Sequence, residues 1–121
     1  MDPRHHLGRL GERLAAEHLE RLGFDVLDRN YRTRHGELDL VAFDGDTLVF
    51  CEVKTRRARR AGAAWDALND RKCTRVRRMG AGWLSERPGR PYARELRFDA
   101  IGVSFDAAGR LISLEHLEGA F

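Results

Sequence analysis

The chain has few cysteines, few prolines and no long apolar run. Its two cysteines, Cys51 and Cys73, stand in no CxxC or Cys/His spacing that would suggest a zinc site. Both are read as reduced structural residues, one on an expected buried strand and one on an expected helix. Three prolines and no low-complexity tract exclude a disordered or linker-like chain. No apolar stretch approaches the roughly 20 residues needed to cross a bilayer, and the N-terminal MDPRHH lacks the apolar core of a signal peptide. The expectation is a protein of the cytosol with no membrane partner. No internal repeat or linker divides the 121 residues, so residues 1–121 are expected to form one domain.

Apolar residues make up 42% of the chain and charged residues 34%, which describes a globular protein with a core. The net charge is only +3, but arginine dominates the basic residues and the pI is about 9.3. Basic residues concentrate at RNYRTR, KTRRARR and DRKCTRVRR. Clusters that converge would make a polyanion surface; clusters that scatter would serve solubility.

From Leu7 to Leu22 the apolar residues recur at three- and four-residue spacing, which predicts an amphipathic helix stopped by Gly23. FDVLDRNYR has strand character. Gly36 opens a longer strand, and Asp44, Gly45 and Asp46 supply turn chemistry between LDLVAF and TLVFCEV. A loop over 56–64 leads to a second helix over about 64–85, with Trp65, Leu68, Cys73, Val76, Met79 and Trp83 on its apolar side and Gly80 and Gly82 weakening its end. RPGRP breaks the chain before the strands ELRFDAIGVSF and LISLEHL. Helix, three strands, helix, two strands is most economically an α/β fold with a mixed central sheet flanked by helices.

The hairpin GELDLVAFDGDTLVFCEVKTRR sets charge inside runs so apolar that they must be buried. A two- or four-residue loop at its tip puts Asp39 and Glu52 on one sheet face. The four-residue loop sets them directly opposite, within roughly 5.5 Å between backbones, and the two-residue loop sets them diagonally. Side-chain alternation then places Lys54 beside Glu52 and Glu37 beside Asp39. Two acids removed from water cost several kcal/mol each unless something compensates. Lys54 could neutralise one; a magnesium or manganese ion between Asp39 and Glu52 would serve both, and Lys54 could then orient a water or stabilise charge on a phosphorus centre. The competing reading is a buried structural ion-pair network, since a strand Glu-x-Lys pair taken alone is usually a surface ion pair worth about 0–1 kcal/mol. No Ser, Cys or Tyr is arranged with these groups as a nucleophile, so a covalent intermediate is not indicated.

Asp39 followed by Glu52-Val53-Lys54 resembles the acid, acid-x-lysine signature of the restriction-endonuclease-like nucleases. GRLGERLAAEHLERLGFDVLDRNYR, the hairpin and RFDAIGV together resemble the bacterial YraN, or UPF0102, family of predicted endonucleases over Gly8 to about Val103. Within that fold the likeness is nearest to archaeal Holliday junction resolvases, which carry a glutamate on the first helix eleven residues ahead of a GF pair, as Glu12 stands to Gly23-Phe24. Leu38 occupies the position where the nuclease motif often has proline. The resemblance implies a restriction-endonuclease-like domain hydrolysing phosphodiester bonds of DNA, with branched or junction DNA as a substrate class. Asp39 and Glu52 would be metal ligands, Glu12 a third acid at the metal, and Lys54 the catalytic lysine. Glu37 belongs to the family's GE-x-D pattern and would either support the ligands from behind or pair with an arginine. A homodimer would suit a two-fold junction.

Other residues carry two readings each. Glu12 near a helix start also gains from the helix dipole alone. Arg56, Arg57, Arg59 and Arg60 leave the Glu52 strand where a phosphate backbone would first arrive, or line a solvated loop. Arg71, Lys72, Arg75 and Arg78 form a helix stripe whose default is a solvated face, with Lys72 at a basic position expected in the family. Asp99 could reach the site from its strand, but a structural bond to a neighbouring strand is favoured. Tyr31 and Trp65 could stack on bases, although buried core is their default. His5, His6 and His35 show no ligand spacing. The principal alternative to a nuclease is a non-catalytic nucleic-acid-binding module, and a third reading is an interaction domain within a DNA-processing assembly.

Overall fold

The computed structural model describes residues 3–59 and 70–121, with side chains over 6–59 and 73–121. The elements are α1 (Pro3–Arg21), β1 (Asp25–Thr33), β2 (Gly36–Phe43), β3 (Thr47–Arg57), α2 (Asp70–Glu86), β4 (Glu95–Phe105) and β5 (Leu111–Leu117). The five strands form one sheet in sequence order. β1, β2 and β3 are antiparallel neighbours, β3 and β4 run parallel, and β5 returns antiparallel to β4. This is the expected α/β architecture with a mixed sheet, consistent with a nuclease-like fold. The expected start of the second helix, with Trp65 and Leu68, lies outside the described residues.

The sheet is covered on both faces. α1 packs Leu7, Ala15, Ala16 and Leu19 against Leu40, Ala42, Val49, Cys51, Ile101, Val103 and Phe105. α2 packs Val76, Met79 and Trp83 against Leu38, Val41, Leu48, Phe50 and Ala100 on the other side. Double coverage explains the continuous apolar run LVFC in β3, because alternate residues enter different cores and both must be apolar. Each fully buried Leu, Val or Phe contributes roughly 1.5–3 kcal/mol.

Two glycines allow the helices to sit this close. A Cβ on Gly11 would fall on the Thr55 hydroxyl, so α1 lies almost in contact with β3 there. On α2, a Cβ on Gly80 would come within 2.9 Å of the Phe98 ring and 3.2 Å of Phe50. Gly80 therefore does not weaken the helix end; α2 continues to Glu86 because this turn lies directly on two aromatic rings that stack with centroids 5.2 Å apart. Burial is complete over the first five residues of β3 and becomes partial from Glu52 onward, where the strand emerges from beneath the helices.

Candidate active site

The β2–β3 hairpin is built on Asp44, whose Oδ1 accepts from the backbone N–H groups of Asp46 at 2.9 Å and Thr47 at 2.7 Å. Gly45 supplies the positive φ of 104°. The ladder then pairs Phe43 with Leu48, Ala42 with Val49, Val41 with Phe50 and Leu40 with Cys51. This is the register of a four-residue connection, and one further step would set Asp39 opposite Glu52. The ladder stops at that step. β2 stays paired with β1 as far as Gly36, while Asp39 Oδ2 accepts the Val53 N–H at 2.7 Å. A side-chain carboxylate thus takes the place of a main-chain acceptor at the point where β2 and β3 part.

The same point carries a break in side-chain alternation. Leu38 and Leu40 are two residues apart, yet Leu38 enters the α2-side core and Leu40 the α1-side core. In the register of β1 with β2, the residue facing Asp39 is Asn30, a non-glycine residue with φ of 53°. Such a backbone in the middle of a strand costs on the order of 1–3 kcal/mol and persists only where its surroundings hold it. The side chain shows what holds it. In the orientation that its neighbours require, the Asn30 amide nitrogen donates to Glu37 Oε1 at 2.7 Å and to Glu12 Oε2 at 3.0 Å.

Because of this break, Glu37 reaches Asp39 from the α1 side rather than along a shared sheet face, as uninterrupted alternation would have it. Glu12 arrives from α1. Carboxylate oxygens of Glu12, Glu37 and Asp39 lie within 4.8 Å of one another, and they are the only acids among the described residues to meet so closely in a group of three or more. Glu37 also pairs with Arg32 at 3.6 Å, one of the two roles expected of it. Glu52 lies outside that group and contacts Lys54 Nζ at 3.6 Å, its side chain 13% exposed and that of Lys54 45%. Glu52 is in phase with Leu48 and Phe50, so alternation directs it and Lys54 toward the α2 face, where their neighbours on β4 are the small Ala100 and Gly102.

The acids burden one another. Burial pushes the Asp39 carboxyl up to about 7; the Val53 hydrogen bond opposes this, and the charges of Glu12, Glu37 and Glu52 add to it. Glu12 is also raised, by burial first and then by Glu37, against the Asn30 hydrogen bond and the charges of Arg32 and Arg9. An open cleft of about 760 Å³ lies beside the group, lined by Gly8, Arg9, Glu12, Arg13, Arg29, Asn30, Arg32, Glu37 and Leu40.

The remaining candidates divide. Arg56 Nε reaches Ser104 Oγ at 3.4 Å, Arg57 Nη1 donates to the Ala107 carbonyl at 3.0 Å, and Arg59 is exposed. Arg60 and the side chains of Arg71 and Lys72 lie outside the described residues. Asp99 is fully buried and structural. It takes a two-point contact from Arg97 at 2.9 and 3.0 Å, the Gly119 N–H at 3.0 Å, and His116 Nε2 at 2.7 Å, and His116 in turn meets His18 at 3.0 Å. Burial disfavours the Asp99 charge, but these hydrogen bonds prevail and hold its carboxyl below the ordinary aspartate range. Tyr31 is core, as expected by default. Reasoning from the sequence missed Asn30, Arg9 and Arg13, and it noted Arg29 and Arg32 only as part of the basic cluster RNYRTR, without placing them at the site. The available signal was an asparagine within a strand, where it is disfavoured.

Comparison with known proteins places these residues in a family. The model of "Uncharacterised protein family UPF0102" matches residues 11–103, which take in Glu12, Asp39, Glu52 and Lys54. A UPF0102 protein of Frankia casuarinae is 52% identical over 116 residues, covering 95% of this chain and 95% of its own length. One from Frankia alni is 51% identical over 115 residues, covering 95% and 93%. One from Pelotomaculum thermopropionicum is 46% identical over 120 residues, covering 99% and 98%.

Proposed function

The chain belongs to the UPF0102 family, whose title assigns no activity, and from its own geometry we propose that the fork at Asp39 is the active site of a metal-dependent nuclease acting on DNA. The observation that carries this reading is the gathering of Glu12, Glu37 and Asp39 at the parting of β2 and β3, where Asp39 is bonded to Val53, between Glu52 and Lys54 on their strand. Branched or junction DNA is the substrate class suggested by the likeness to junction resolvases.

The donor set fits a hard divalent cation. All ligands on offer are carboxylate oxygens, as magnesium and manganese prefer, and the raised Asp39 carboxyl marks a place where a positive charge would relieve burial and repulsion together. Asp39 and Glu12 would hold the ion, with Glu37 or Glu52 completing the set. Bound there, such an ion supplies Lewis-acid polarisation of the phosphoryl group and charge neutralisation. The chain's own residues do the rest. Lys54, exposed at the end of the pair with Glu52, orients a water for attack on phosphorus and stabilises the negative charge that develops there. Asn30 holds Glu12 and Glu37 in place as a positioning residue.

A titration with magnesium or manganese tests the reading apart from activity. Calorimetry is expected to show binding to the wild type and its loss in Asp39→Asn. Binding that survives this substitution unchanged, or no binding at all, would leave the acids as a structural network and the protein as a non-catalytic module. No described helix is long and apolar enough to cross a membrane.

A further inference from the structure

Four arginines meet at one place, two by helical spacing and two by a backbone feature. Arg9 and Arg13 stand one turn apart on α1 and share its face. Arg29 and Arg32 are three residues apart on β1, and an uninterrupted strand would send them to opposite sides of the sheet. Asn30 lies between them in the left-handed conformation and resets the alternation, so all four side chains line the open cleft with Glu12 and Glu37. Four cations against two carboxylates leave the cleft with net positive charge.

These arginines are poorly suited to a purely structural role. All four are exposed; the Arg32 side chain is 77% exposed in its 3.6 Å pair with Glu37, and that of Arg29 is 51% exposed in a 3.9 Å pair with Glu20. Pairs so open to water contribute little to stability. A polyanion entering the cleft would meet guanidinium groups already turned toward it, with little desolvation cost. Among the described residues the lining offers guanidinium groups and no aromatic side chain, which suits contact with phosphate.

We propose that this cleft, walled by α1 and β1, is the track for the sugar–phosphate backbone of a nucleic-acid strand, with Arg9, Arg13, Arg29 and Arg32 contacting successive phosphates and delivering one of them to the Asp39 group. The inference rests on the nuclease reading of the fork and adds to it the surface, the direction of approach and the mode of contact. It places the principal backbone contacts in the cleft between α1 and β1, whose lining does not include Arg56 or Arg57.

The test is equilibrium binding of labelled single-stranded DNA, duplex DNA and RNA oligonucleotides over a salt series in a chelator, so that no cleavage is required. The wild type is compared with Arg13→Ala, Arg32→Ala, the double variant, Arg13→Lys and Arg94→Ala, the last at the distant hairpin tip beside Asp46. Each cleft arginine removed should lower the slope of log affinity against log salt by roughly 0.7–0.9. Arg13→Lys and Arg94→Ala should leave it unchanged, and changing base sequence should matter little. Thermal melts run in parallel identify a variant that has lost its fold, and Arg13→Lys preserves charge at the same position. Cleft dependence with any of the three polymers supports the track and names the polymer it takes. Unchanged slopes in the cleft variants, or an equal loss in Arg94→Ala, would overturn it even if the protein cuts DNA. An Asp39→Asn protein that binds through the cleft, from a wild type that cuts nothing, would keep the track and discard the nuclease.

Discussion

Asp39 concentrates the argument at the level of single residues. Its carboxyl titrates near 7 in the fold against 3.8 in an unperturbed chain, because burial and three neighbouring acids outweigh the Val53 hydrogen bond. The sign follows from proton linkage. Between those two values the folded state keeps a proton that the unfolded chain has released, so the metal-free protein loses stability as pH rises through that window and regains none above it. Asparagine can still accept the Val53 N–H and cannot ionise. Metal-free Asp39→Asn should therefore be more stable than wild type at pH 8, by on the order of 2–4 kcal/mol, and should lose that advantage near pH 4. Denaturant unfolding at both pH values in a chelator measures it; a variant less stable than wild type at pH 8 would contradict the electrostatic account of the site. A carboxylate that costs stability where it stands is what a functional carboxylate should look like. Asp99 is the contrast: its charge is fully hydrogen-bonded by Arg97, His116 and Gly119, and it holds β4 to β5 and the chain end.

Among the elements, β1 and β2 matter most, and they do so by being irregular. The left-handed Asn30 breaks alternation in β1, and Leu38 and Leu40 register the matching break in β2. One irregularity turns Glu37 toward Glu12 and brings Arg29 and Arg32 to the same cleft. Conformation and hydrogen bonding at Asn30 can be separated by substitution. Asn30→Gly keeps a residue at home with positive φ while removing the amide, so the fold should survive and cleavage should fall by roughly 10–100-fold. Asn30→Ala should lose activity and also melt lower, by about 1 kcal/mol, because alanine resists that conformation. Full activity in Asn30→Gly would show that the amide positions nothing. These irregularities mark the limit of what the sequence made legible. The choice between a two- and a four-residue loop was settled by the ladder. The order of elements along the chain, the hairpin and the meeting of Asp39 with the Glu52 strand follow from apolar runs and the Asp44-Gly45-Asp46 turn. The regrouping of Glu37 with Glu12 does not, since period-two reasoning assumes an unbroken strand. Nor did the close approach at Gly80 follow, because a glycine in a helix reads as weakness until the rings beneath it are seen.

At the scale of the whole molecule, the fold is a sheet covered on both faces whose central strands escape coverage at one end. The helices bury β3 as far as Cys51, and beyond that point the charged residues begin. Burial and access thus meet at Asp39: deep enough to raise its carboxyl, yet adjoining a cleft of about 760 Å³ edged with arginine. The resemblance to restriction-endonuclease-like nucleases named Asp39, Glu52, Lys54, Glu12 and Glu37, and the structure groups Glu12 and Glu37 with Asp39 and adds Asn30 as their neighbour. The most direct measurement is cleavage of labelled branched, single-stranded and duplex DNA with manganese, comparing wild type with Asp39→Asn, Glu52→Gln and Lys54→Ala purified identically. The account predicts metal-dependent cleavage by the wild type, lost by at least ~100-fold in Asp39→Asn and Glu52→Gln and by ~100–1,000-fold in Lys54→Ala. Equal cleavage by all four proteins, or none by the wild type on any substrate, would contradict it.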